Sequence, residues 1–106
     1  MMGRAIFSDE VPVVKANNAI LAFSEDLAVI PEETACINCG RCVRACPMNL
    51  NPALIGRAVE ADDLACAARA HVAVCIECGA CTFVCPAYRP LTQLCRRAKA
   101  ALRKKP

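Results

Sequence analysis

The sequence predicts a small, mainly α-helical domain behind a short extended or β-hairpin arm. Three observations lead there. Apolar residues recur at helical spacing in three stretches after residue 50. A twelve-residue cysteine run occurs twice, at 36–47 and again at 75–86. Between Cys46 and Cys75 lie 28 residues of helical pattern, where a strand-based fold would place short hairpins. A chain of 106 residues suits one small domain, near the low end for a self-sufficient core. The predicted division is an arm, or the remnant of a preceding domain, over 1–30 and a helical domain over 31–106.

In the arm, Val11-Pro12-Val13-Val14-Lys15 and Ile20-Leu21-Ala22-Phe23 are short apolar runs. Asn17-Asn18 between them tolerates positive φ and is a fair hairpin turn, with Pro12 confining its strand to an edge. A lone hairpin is marginal in water, so the arm is expected to pack on a partner or another domain, or to fold over the helical part. Ser24-Glu25-Asp26 to Thr34 reads as a polar linker with one helical turn.

The cysteine runs follow. Each reads C-x-x-C-x-x-C-x-x-x-C-P, offset by 39, with seven of twelve positions identical. A four-iron cube needs thiolates at several corners of one small volume. Cysteines at i, i+3 and i+6 on a tight, partly helical loop converge on such a volume, whereas the fourth starts a new turn and points elsewhere. This run binds [4Fe-4S] clusters, and where it is paired its fourth cysteine ligates the other cluster. The expected sets are Cys36, Cys39, Cys42 and Cys85 for one cluster, and Cys75, Cys78, Cys81 and Cys46 for the second. Gly40 and Gly79 are placed to take positive φ beside the sulfurs. Pro47 and Pro86 end the loops, and Ile37 and Ile76 would shield the clusters. Structural zinc more often uses C-x₂₋₄-C pairs from separate loops and has little use for a third cysteine. A secreted disulfide framework would suit ten cysteines, but the N-terminus lacks a signal-peptide pattern.

Between the runs, Asn51 caps a helix whose first position is Pro52, with Leu54, Ile55, Ala58 and Val59 on one face. Asp62 or Asp63 caps a second helix through Leu64, Ala65, Ala68 and Val72. Cys66 there, and Cys95 further on, are expected as small buried apolar residues, and His71 as packed or solvent-facing. After Pro90, the residues Leu91, Leu94, Cys95, Ala98 and Leu102 mark the apolar face of a third helix. Arg96, Arg97 and Lys99 mark its polar face, solvated or docking an acidic partner, and Arg103 and Lys104 suit its C-terminal dipole.

Three Phe, one Tyr and no Trp make a thin core, so the clusters should act as staples. No apolar run approaches the ~20 residues that span a bilayer. The formal charge of +3 counts cysteines as neutral. Eight thiolates around two cores of about +2 each bring the loaded domain to about −1, which argues against nucleic-acid binding.

The long helical insertion resembles the α-helical ferredoxin fold of the iron–sulfur subunits of succinate dehydrogenase and heterodisulfide reductase. Closer likeness lies in Cys36 to Cys46, Cys75-Ile76-Glu77-Cys78-Gly79-Ala80-Cys81, and Pro90-Leu91-Thr92-Gln93 to Arg97-Ala98-Lys99. These resemble the C subunit of the Rnf complex, the ion-translocating ferredoxin:NAD oxidoreductase, and Met1-Met2-Gly3 and Val11 to Lys15 resemble the segment ahead of its cluster domain. The resemblance implies one-electron relay among subunits of a membrane complex, and with a ferredoxin, on the cytoplasmic inner face of the bacterial membrane. Members of that family bind FMN and NADH on a long N-terminal part, and no G-x-G-x-x-G or similar loop occurs here. The chain is therefore expected to be a fragment or short form, not catalytic alone. The alternatives are a cobalamin-reductase-like iron–sulfur protein of microcompartments and a structural zinc-binding interaction module.

Overall fold

A computed structural model of the chain describes residue 3 and residues 5–104. Met1 and Met2, which carry part of the resemblance, lie outside the described residues. The described part is mainly helical, as the sequence predicts, with no strand among the described residues.

The arm differs from expectation. A turn does form, with Asn17 N donating to Val14 O at 2.9 Å and Val14 N donating to Asn17 Oδ1 at 2.9 Å. It centres on Lys15-Ala16, two residues earlier than Asn17-Asn18 predicts, and the two flanks run extended with no ladder between them. Two short ribbons with no third element to pack on gain too little to pair. The arm leaves Phe7, Val13, Ile20, Leu21 and Phe23 exposed. Helix α1 (Glu25–Ala28) is the single turn expected in the linker.

The helical part is built twice on one plan. Helix α2 (Arg41–Ala45) follows Gly40, and α5 (Ala80–Phe83) follows Gly79. Helix α3 (Pro52–Glu60) and helix α6 (Leu91–Lys104) begin 39 residues apart, the offset of the cysteine runs. Positive φ recurs at the same offset, at Asn38 and Glu77, Gly40 and Gly79, Asn49 and Tyr88. Turn hydrogen bonds recur too: Asn49 N donates to Cys46 O at 3.1 Å and Tyr88 N to Cys85 O at 3.2 Å. Left-handed backbone at Glu77 and Tyr88 is costly for such residues and persists only where surroundings fix it.

Asn51 caps α3 by accepting from Leu54 N at 3.0 Å, and Asp63 caps α4 (Leu64–Arg69) by accepting from Cys66 N at 2.8 Å. Helix α4 is shorter than predicted. Ala67, not Ala65 or Ala68, is its buried residue, and Val72 is buried from a following 3₁₀ turn, Val72–Val74. Likewise Leu54 is partly exposed, while Ile55, Ala58 and Val59 face inward. Gly56 permits the close approach of α3 and α6: a Cβ there would lie 3.2 Å from Leu91 Cδ2 and 3.3 Å from Leu94 Cδ1. Leu50, Ile55, Ala58, Val59, Ala67, Val72, Cys95 and Ala98 form the core. Cys66 packs at its edge and His71 is solvent-facing.

Candidate metal centre

Two hollows lie where the repeated loops meet the starts of α3 and α6. Cys36, Cys39, Cys42 and Cys85 line the first, together with Asn38 and Arg89. Cys46, Cys75, Cys78 and Cys81 line the second, together with Thr92 and Cys95. Each hollow thus draws three cysteines from one run and the fourth from the other. The local cause is the left-handed glycine, which turns the loop back so that the next helix presents its first cysteine toward the two before it.

No three His, Cys, Asp or Glu side chains among the described residues converge closely enough to hold a single metal ion. Four thiols spread around a hollow fit a larger group bound at its corners. The donor set fits as well, since iron–sulfur cubes are held by four thiolates. Backbone donors already reach two sulfurs: Leu50 N donates to Cys46 Sγ and Glu77 N to Cys75 Sγ, both at 3.4 Å. Ile37 and Ile76 line the mouths but remain more than half exposed, so their shielding is partial.

Burial pushes the Cys42 and Cys81 thiols up, Cys81 despite the Thr92 hydroxyl 3.7 Å from its sulfur. Burial, then the nearby Cys75 and Cys81, push Cys95 up to about 12. Cys95 lines a hollow although it belongs to neither cysteine run, a placement that its helical register could not reveal.

The polar face predicted for α6 is only partly solvated. Lys99 Nζ donates to Cys75 O and to Glu77 Oε1, both at 2.8 Å, and Arg96 Nε donates to Glu77 Oε2 at 3.0 Å. These bonds fix the second loop and hold the Glu77 carboxyl below its usual range, the Lys99 bond foremost. Arg97 stays exposed, 3.2 Å from Asp62 Oδ1. On the first side Arg57 Nη1 donates to Asn38 Oδ1 at 3.5 Å. Arg89 binds Glu60 and lies 3.0 Å from Glu33 Oε1. Thr34 N donates to Ala87 O at 3.0 Å, and with the Glu33 pair this ties the linker to the first hollow.

A family model described as "4Fe-4S dicluster domain" matches residues 28–86. The C subunit of the ion-translocating oxidoreductase complex of Rhodobacter capsulatus is 47% identical over 102 residues, which is 96% of this chain and 20% of that protein. The C subunit of the proton-translocating ferredoxin:NAD(+) oxidoreductase complex of Clostridium ljungdahlii is 40% identical over 55 residues, 52% of this chain and 12% of that protein. The C subunit of the ion-translocating oxidoreductase complex of Methanosarcina acetivorans is 47% identical over 55 residues, 52% of this chain and 12% of that protein. The chain therefore spans a fifth or less of these relatives.

Proposed function

The chain belongs to the 4Fe-4S dicluster domain family, and on that premise we propose that it relays single electrons through two [4Fe-4S] clusters within an Rnf-type complex. The observation that carries this is that each hollow is lined by three cysteines of one run and the fourth of the other. Cys36, Cys39, Cys42 and Cys85 hold one cluster, and Cys75, Cys78, Cys81 and Cys46 hold the other. A bound cluster exchanges one electron at a time, at a potential set by burial, charge and hydrogen bonds to its sulfurs. The protein's part is to hold eight thiolates in place, keep water partly away with Ile37, Ile76 and Leu50, and supply charge around the sulfurs.

The likeness to the Rhodobacter and Clostridium proteins supports the assignment to such a complex. In this reading the partners are other subunits of that assembly and a ferredoxin. FMN and NADH bind outside these residues, and the site of action is the cytoplasmic face of a bacterial membrane. Among the described residues no helix is long and apolar enough to cross one. Anaerobic purification followed by iron, sulfide and zinc quantification tests the core of the reading. About eight irons and as many sulfides per chain are expected. Zinc in place of iron would return the chain to the interaction-module reading.

A further inference from the structure

The shared frame of the two hollows lets matched residues be compared directly. Arg57 reaches Asn38 as Arg96 reaches Glu77, and each partner pair lies 39 residues from the other. Against that common plan the wall residues differ. Leu50 lines the second hollow, and at the matched place in the first stands Arg89. Asn38 in the first loop is neutral, whereas Glu77 in the second is an anion.

Arg89 is buried, 9% exposed, beneath carboxylates that are not: the Glu33 and Glu60 side chains are 47% and 42% exposed. Its Nε lies 3.0 Å from Glu33 Oε1 at too bent an angle for a hydrogen bond, and finds no other acceptor among the described residues. Water screens the two carboxylates more than it screens a cation in the wall of a hollow. The positive charge therefore acts on the hollow with incomplete compensation. It is also close enough to Cys36 for charge on that sulfur to help keep the guanidinium protonated, after Glu60 and Glu33.

We propose that Arg89 makes the two cluster sites unequal, holding the Cys36–Cys39–Cys42–Cys85 site at the higher reduction potential, so that an electron entering the chain settles there. The inference rests on the relay reading above. Reduction adds one negative charge to a site, and a cation in its wall stabilises that charge where a leucine does not. Other groups around the first hollow are Arg57 on α3, which acts in the same sense, and Glu60 and Glu33, which oppose it from solvent. Around the second, Glu77 meets two cations of α6, Arg96 and Lys99, a net charge of one positive, but neither of them lines the hollow as Arg89 lines the first. The Thr92 hydroxyl beside Cys81 favours reduction there as well, but a neutral dipole acts more weakly than a full charge.

The test is an EPR-monitored redox titration of the anaerobically purified chain, with native protein, Arg89→Leu, Arg89→Lys and Glu60→Gln. The signals are assigned by which one disappears in Cys85→Ala and which in Cys46→Ala. The native protein should favour the first site at least roughly tenfold in electron occupancy, a difference of about 59 mV for a one-electron couple. Arg89→Leu, which copies the second site's Leu50 into the first, should erase that preference by moving the first site alone. Arg89→Lys should keep it. Glu60→Gln, which leaves the cation and removes a counter-charge, should enlarge it. A merely structural Arg89 would not give opposite signs for Arg89→Leu and Glu60→Gln. Unchanged potentials, equal movement of both sites, or a Glu60→Gln shift in the same direction as Arg89→Leu overturns the inference while leaving the relay intact. If Arg89→Leu does not fold, the sign of the Glu60→Gln shift decides. Native chain without iron and sulfide overturns the relay reading and this inference together.

Discussion

Replacing Cys46 with alanine separates proximity in sequence from proximity in space. Cys46 is four residues from Cys42, yet it lines the hollow of Cys75, Cys78 and Cys81. On the proposed assignment each hollow has four ligand thiols, so the variant leaves one complete set and one set of three. Iron should fall from about eight to about four per chain, and the signal lost should be the one that Cys78→Ala also removes. The packing cost is small by comparison: Cys46 Sγ is half-buried and accepts one bond, from Leu50 N at 3.4 Å. Losing that bond costs about 1 kcal/mol, too little to unfold the other half. Double variants sharpen the result, because changes acting on one unit are not additive. Cys46→Ala with Cys81→Ala should lose no more iron than either alone, whereas Cys46→Ala with Cys42→Ala should lose nearly all of it. The assay is iron and sulfide content with EPR of the dithionite-reduced protein under anaerobic conditions. An intact second-site signal in Cys46→Ala, or a Cys46/Cys42 pair that behaves like a single variant, would refute crossed ligation.

Three further outcomes are expected. Cys66→Ala and Cys95→Ala should both keep the full iron content at a cost of about 1 kcal/mol in thermal or denaturant unfolding, since neither belongs to a proposed ligand set. Iron loss in either would show a misassigned ligand. The isolated chain should bleach with dithionite and stay oxidised with NADH in an anaerobic cuvette, because a hydride delivers two electrons together and a flavin ordinarily divides them. Rapid bleaching by NADH would reveal a cofactor site of its own. Lys99 and Arg96 hold the Glu77 carboxyl below its ordinary value, so their stabilisation of the second loop is present above pH 4.5 and is lost as pH falls below it. Glu77→Gln should therefore lose its second cluster faster than native protein at pH 7, with the gap in bleaching rate closing under acid. A gap that widens instead would show that the ion pairs do not hold the loop.

The parts of the fold that were legible in the sequence are those whose signals are local. Asn51-Pro52 and Asp63 announce helix starts through a side-chain acceptor within three residues, and both cap as expected. The face of α6 is legible because charged and apolar residues contrast along it. The face of α4 is not, because Leu64-Ala65-Cys66-Ala67-Ala68 is small or apolar throughout and sets no phase. The hairpin failed for a different reason. Its turn chemistry is real, but pairing depends on a surface to pack against, which no turn signal reports. The charges that shape the hollows were hidden by distance along the chain. Arg89 and Glu60 are 29 residues apart, and Lys99 and Glu77 are 22 apart. One clue was available: the 39-residue offset continues past the cysteines. It pairs Arg57 with Arg96 and Asn38 with Glu77, and so foretells that each arginine reaches the same place in its own loop.

On the crossed ligation proposed here, neither half of the repeat can complete a site without the other. This bears on stability as much as on electron transfer. Among the described residues the largest fully buried side chains are Ile55, Val59, Val72 and Cys95, a small core for the helices packed around it. Thiols must lose their protons to bind iron, and burial resists that at Cys42 and Cys81. Cluster binding must therefore supply enough free energy to expel those protons as well as to order the loops. The left-handed Glu77 and Tyr88 add to what must be offset. A chain so arranged is held together chiefly by the groups it carries. Two bridges between the same pair of loops also leave little freedom for one half to move against the other. The distance between the two redox centres is then set by the ligation itself, and what the surrounding residues remain free to vary is the charge on each side.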